Sequence, residues 1–117
     1  MRVNKIFNKN TVNVGVIIEA RMSSSRLPGK VLKKILNKPM LTHMLDRIKH
    51  CRTIDNIVIA CTNNAADNDI EELAIQEGVN CFRGSEYDVL KRVLEAAQKF
   101  DIHIIVETPG DFPLIDP

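Results

Sequence analysis

NVGVIIEARMSSSRLPGK, residues 13–30, joins an apolar run to a cationic loop, and that junction sets the reading of the whole chain. Val14, Val16, Ile17 and Ile18 lie in a continuous, largely β-branched stretch over residues 13–20, as a strand covered on both faces requires. Ala20–Lys30 then packs three cations, three serines and a glycine into one turn. Arg21, Arg26 and Lys30 offer charge to an anion, Ser23, Ser24 and Ser25 offer hydroxyls, and Gly29 lets backbone N–H groups come close. A nucleoside triphosphate suits that set. Neither the Walker pattern nor the three-glycine dinucleotide fingerprint is present, because Gly29 is the loop's single glycine. A solvated basic loop has the same composition, so the residues alone leave both readings open. Position favours the ligand, since loops at the carboxyl ends of strands are where α/β sheets bind their guests.

Downstream, strand and helix patterns alternate. Pro39 can open a helix in which Leu41, Met44, Leu45 and Ile48 recur at helical spacing, with Asp46, Arg47 and Lys49 facing solvent. Residues 56–62, NIVIACT, read as a second buried strand, with Asn63, Asn64 and Asp67 as its polar exit loop. Residues 69–77 carry Ile70, Leu73 and Ala74 on one face and stop at Gly78. A short strand is expected over 79–82, then a helix capped by Ser85 that buries Val89, Leu90, Val93, Leu94 and Ala97, then a fourth strand over 102–106. Residues 1–12 show no clear period and are expected to be a weakly ordered lead-in to a single unit over 13–117. The pattern predicts an α/β fold, with a mainly parallel sheet covered on both faces and ligand loops along one rim.

PGDFPLIDP, residues 109–117, follows the fourth strand, so its loop is expected on the same rim as Arg21–Lys30. Asp111 on that stiff turn is a candidate Mg2+ ligand, because Mg2+ takes few carboxylates and fills its shell with phosphate oxygens and water. A turn aspartate capping its own backbone is the alternative. One loop with cations and another with a carboxylate make the division of labour that nucleotidyl transfer needs.

The net charge of +1 hides an asymmetry: residues 1–52 hold 12 Lys/Arg against 2 Asp/Glu, and residues 53–117 hold 4 against 13. With aromatics at 4%, stacking platforms are scarce, which speaks against a nucleic-acid partner. No apolar run approaches the roughly 20 residues of a membrane helix, and the amino end lacks a signal peptide's apolar core, so a cytoplasmic protein without a membrane partner is expected. Cys51, Cys61 and Cys81 have no spacing suited to zinc or a disulfide framework and are read as reduced, mostly buried thiols. His43, His50 and His103 are read as surface or boundary residues, and no Ser/His/Asp or Cys/His arrangement can be built.

ARMSSSRLPGKVL (20–32), KPML (38–41), FRGSEYDVLKRVLEAA (82–97) and GDFPLIDP (110–117) stand in the order found in the cytidylyltransferase family. Over residues 14–117 the chain resembles its spore coat polysaccharide biosynthesis group of the F type, which is similar to CMP-Kdo and acylneuraminate cytidylyltransferases. The resemblance implies a three-layer nucleotide-diphospho-sugar transferase fold (Rossmann-like, GT-A). It also implies joining of CTP to an acidic sugar, with pyrophosphate released, in cell-surface polysaccharide synthesis. Arg21, Ser24, Arg26, Gly29 and Lys30 would hold the nucleotide, with Arg21 and Lys30 acting in catalysis. Arg83 would sit at the nucleotide rim, and Asp111 would bind Mg2+. Pro109 and Glu107 depart from the family pattern, which often has Gln or Thr at the first position and, in the spore coat group, Arg at the second. The family continues beyond the Gly-Asp loop, so the chain reads as its truncated amino-terminal part. Two other functions fit the same residues: a catalytically incomplete nucleotide-binding or interaction domain, and a transferase using another nucleotide with a sugar phosphate. An unpaired sheet edge would also allow self-association.

Overall fold

A computed structural model describes residues 11–117; the expected lead-in falls, but for its last two residues, outside them. Four parallel strands form the sheet in the order β5-β4-β1-β6: β1 (Val14–Glu19), β4 (Asn56–Thr62), β5 (Asn80–Gly84) and β6 (Ile104–Pro109). Two-residue strands β2 (Lys34–Ile35) and β3 (Lys38–Pro39) make a separate antiparallel hairpin. Helices α1 (Met40–Ile48), α2 (Asn68–Glu77) and α3 (Val89–Lys99) and two short 3-10 turns, Lys30–Leu32 and Ala65–Asp67, complete the described elements.

Alternation along the strands divides the core into two layers. Val16, Ile18, Ile59 and Cys61 face one way and pack with Leu41, Met44, Leu45 and Ile48 of α1 and Ile70, Leu73 and Ala74 of α2. Ile17, Val58 and Ala60 face the other way, against Val93, Ala96 and Ala97 of α3 and Ile102. Helices therefore cover both faces, which is the expected three-layer α/β arrangement. Each large aliphatic side chain buried here contributes roughly 1.5–3 kcal/mol.

The expected first and second strands and first two helices stand where the apolar periods placed them. Gly78 ends α2 in the left-handed conformation at φ 69°, its N–H returned to Ala74 and Ile75. The third and fourth strands lie one to three residues later than expected. Helix α3 is capped by Asp88, whose side chain accepts from Lys91 N at 3.0 Å, rather than by Ser85, whose Oγ accepts from Asp88 N. Its buried face is Arg92, Val93, Ala96 and Ala97; Val89, Leu90 and Leu94 are exposed, contrary to expectation. The apolar arc of this helix is wider than the strip the sheet can cover.

The hairpin was not expected either. Leu36 and Asn37 both take positive φ, 51° and 65°, in a two-residue turn whose twist matches the flanking strands, but the usual glycine signal is missing. His103 precedes β6 instead of lying within a strand, and its Nδ1 accepts from Asn13 N at 2.9 Å. All three cysteines are free; Cys61 is buried, Cys51 and Cys81 are half-buried, and the Cys61 and Cys81 sulfurs lie 3.6 Å apart. Among the described residues no helix is long and apolar enough to cross a membrane.

Candidate functional site

Strand β1, in the middle of the sheet, and its edge neighbour β6 run side by side in parallel and deliver their carboxyl-terminal loops to one rim. Gly110 makes the approach possible: its N–H donates to Glu19 O at 2.7 Å, and a Cβ there would stand 2.9 Å from that same oxygen. On the β1 side the chain leaves as a closed loop. Met22 O accepts from Gly29 N at 2.7 Å, and Gly29 holds the left-handed φ of 70° that the closure needs. Among the described residues, no hydrogen bond within the protein takes up the N–H groups of Ser23, Ser24, Ser25 or Arg26.

Between the two loops lies an open cleft of about 390 Å³, lined by Arg21, Ser23–Ser25, Arg26, Lys30, Gly110 and Asp111, with Glu19 and Pro109 at its base. Lys30 Nζ is 2.8 Å from Asp111 Oδ2, and both groups remain partly exposed. The Asp111 carboxylate thus reaches across the cleft to the cationic loop instead of folding onto its own turn. Ser24 Oγ accepts from Leu27 N at 3.3 Å, and Ser23 Oγ donates to Glu86 at 3.2 Å. Six of the seven expected site residues, Arg21, Ser24, Arg26, Gly29, Lys30 and Asp111, therefore belong to the loop pair that forms this cleft.

Arg83 stands apart. From β5 it donates through Nε to Thr62 O at 2.8 Å, through one terminal nitrogen to Asn64 O at 2.6 Å and through the other to Asn68 Oδ1 at 2.5 Å, with Glu71 at 3.6 Å. Its guanidinium braces the turn between β4 and α2 and does not line the cleft.

Three further groups escaped the sequence reading. Glu19, the last residue of β1, has its carboxyl pushed up to about 7, first by burial and then by a hydrogen bond to and the charge of Glu107, with Arg92 opposing. Glu19 Oε1 and Arg92 Nε are both buried without a hydrogen-bond partner among the described residues. They line a second recess of about 390 Å³ with Arg21, Glu86 and Tyr87, which shares Glu19, Ala20 and Arg21 with the first. The strand-end position of Glu19, next to the cationic loop, was the available signal. The third group is Asp67, fully buried at the head of α2, which no local pattern reveals.

A family-wide sequence profile for cytidylyltransferases matches residues 15–117. The chain belongs to the cytidylyltransferase family. It is 36% identical over 105 residues to the spore coat polysaccharide biosynthesis protein SpsF of Bacillus subtilis, covering 86% of this chain and 44% of that protein. A cytidylyltransferase structure from Leptospira borgpetersenii serovar Hardjo-bovis superposes with a TM-score of 0.85 at 43% identity, over 90% of this chain and 44% of that one. A CMP:2-keto-3-deoxy-manno-octonic acid synthetase complexed with CTP superposes with a TM-score of 0.75 at 26% identity, over 90% and 43%. The fold is thus the nucleotide-sugar transferase fold of these cytidylyltransferases, and this chain spans less than half the length of each.

Proposed function

We propose that this cytidylyltransferase-family chain binds the triphosphate of CTP in the cleft between the Ala20–Lys30 loop and the Gly110–Asp111 turn. We propose further that it serves transfer of the cytidylyl group to an acidic sugar for cell-surface polysaccharide synthesis. One observation carries the reading: cations, serine hydroxyls and uncommitted N–H groups face a carboxylate across a single cleft, with Lys30 against Asp111 at 2.8 Å. The chemistry of the set suits a triphosphate with Mg2+. A single carboxylate is what Mg2+ accepts when phosphate oxygens and water complete its shell, and the residues present fit it, with Asp111 as the protein ligand. When bound, the ion would supply charge neutralisation on the phosphates.

The chain's own residues do the rest. Arg21, Arg26 and Lys30 offset charge on the phosphates, and Lys30 and Arg21 meet the negative charge that grows on the departing pyrophosphate as a sugar hydroxyl attacks the α-phosphorus. The second recess offers a buried acceptor on Glu19 and a buried donor on Arg92 to the nucleoside end. We place the reaction in the cytoplasm. Among the described residues no strand pairs with the outer edge of β6, where Ile104, Ile105 and Val106 are exposed, and a second copy could pair there.

Calorimetric titration with CTP and Mg2+ tests the site. Heat that fits one site, and a weaker response with GTP, ATP or UTP, is expected; no heat at millimolar CTP removes the assignment. Pyrophosphate release with a panel of Kdo- and sialic-acid-type sugars tests turnover separately, and binding without release would favour a nucleotide-binding module.

A further inference from the structure

Asp67 lies outside the cleft, yet it holds the neck of the cationic loop. Its carboxylate is 1% exposed and accepts three hydrogen bonds: Oδ1 from Met22 N at 2.8 Å, and Oδ2 from Thr62 N at 2.8 Å and Thr62 Oγ at 2.5 Å. Met22 is where the loop closes, since its carbonyl accepts from Gly29 N at 2.7 Å. Both backbone groups of Met22 are therefore committed, one to the far end of the loop and one to Asp67. Ala20 N, two residues earlier, donates to Ala60 O at 3.2 Å and continues the sheet. Arg21 is thus held between two fixed peptide groups, one tied to β4 and one to Asp67.

The Asp67 turn is itself rigid. Thr62 O, Asn64 O and Asn68 Oδ1 all accept from Arg83, and the Asn64 side chain accepts from Ala66 N at 3.0 Å. A buried carboxylate without partners is strongly unfavourable, so this one is retained where three donors converge on it. Two of those donors serve its own turn. The third belongs to a residue 45 positions away and has no role in closing that turn.

We infer that Asp67 is a positioning residue for triphosphate binding, which fixes the Arg21–Lys30 loop through Met22 N–H so that its cations and N–H groups stand preorganised toward the phosphates. The inference rests on the cleft being the phosphate site. Fixing a loop in its binding conformation before the ligand arrives raises affinity by removing an ordering cost from the binding step.

The test compares Asp67→Asn with Thr62→Val in the full chain, using inorganic triphosphate with Mg2+ as the probe, denaturant unfolding as the stability control, and amide exchange at Met22. Asparagine keeps the shape but turns an NH2 toward one of the converging donors. Valine at 62 removes the hydroxyl contacts to Asp67 and Asn64 while leaving the bond to Met22. The expected result is that both variants lose stability. Only Asp67→Asn should lose at least tenfold in triphosphate affinity and expose the Met22 amide to fast exchange. Affinity within twofold of wild type in Asp67→Asn overturns the inference, as does an equal loss in Thr62→Val, which would make the effect one of general stability. If the wild-type chain does not bind triphosphate, the phosphate-site reading falls and this role falls with it. Exchange at Met22 then still decides the physical tie, and no change in Asp67→Asn would refute that as well. Where Asp67→Asn does not fold, Asp67→Ser carries the comparison, because its hydroxyl can serve Thr62 but is too short to span to Met22.

Discussion

Lys30 and Asp111 meet at 2.8 Å across the cleft although 81 residues separate them. The contact exists because parallel strands β1 and β6 are neighbours in register, so their exit loops emerge side by side. On the proposed reading, Lys30 satisfies the carboxylate of the free cleft, and would turn to phosphate oxygens once a cation took its place at Asp111. The pair is partly exposed on both sides, and such pairs contribute about 0–1 kcal/mol to folding.

Lys30→Ala and Asp111→Ala should therefore separate binding from stability. Each is expected to shift unfolding free energy by less than about 1 kcal/mol. Each should weaken CTP with Mg2+ by tenfold or more in a calorimetric titration, because one variant loses phosphate charge and the other a metal ligand. Wild-type affinity is expected to rise with Mg2+ concentration, and Asp111→Ala should lose that dependence. If both variants bind CTP like wild type, the cleft is not the phosphate site.

Gly110→Ala should act through the backbone. The new Cβ would lie 2.9 Å from Glu19 O and 3.2 Å from Ala20 Cβ, and neither of those can swing aside as a long side chain could. The Gly110–Glu19 hydrogen bond and the Asp111 turn would have to move together, at a cost of about 1–3 kcal/mol. A lowered Tm together with weaker CTP binding is expected; an unchanged Tm would mean that the rim is looser than its geometry indicates.

Much of this architecture was legible in the chain. The runs at 14–18 and 56–62 are continuous and β-branched, the α1 and α2 faces recur at helical spacing, and Gly78 marks a stop. Those signals are local, and the elements followed. What failed was set by distant partners. Nothing near Asp67 announces burial, because its donors are Thr62, five residues back, and Met22, on another loop. Arg83 shares its cationic character with the loop residues, and only its strand position and its four neighbours commit it to bracing β4. The hairpin at 34–39 was hidden because Leu36 occupies a left-handed position where glycine or asparagine is the usual marker.

Glu19 gives the stability a pH dependence whose sign can be worked out. Its carboxyl is raised from the ordinary 4.5 to about 7, so the folded chain holds this proton more tightly than the unfolded one. Between those values the unfolded state binds fewer protons, and stability falls as pH rises through that window. Below it both states are protonated and nothing more is gained; above it the loss is complete. After allowance for the partial exposure of the group, the change amounts to about 1 kcal/mol. Glu19→Gln should flatten this slope between pH 5 and 7 in denaturant unfolding. A slope equal to wild type would assign it to another group.

Helix α3 offers the sharpest test of the packing. Leu90 and Leu94 are 77% and 51% exposed, whereas Val93 is 3% exposed on the face turned to Ile17 and Ala60. The apolar pattern alone would treat the three residues alike. The structure predicts instead that Leu90→Ser stays within about 0.5 kcal/mol of wild type, as surface changes do. Val93→Ala should cost about 1–3 kcal/mol through lost burial and the small cavity it leaves. Unfolding of this chain in denaturant measures both. If Leu90→Ser costs as much as Val93→Ala in dilute monomer, α3 is rotated from the position described. If that cost appears only as protein concentration rises, the exposed face of α3 is covered by a second copy, and the loss belongs to association instead of folding.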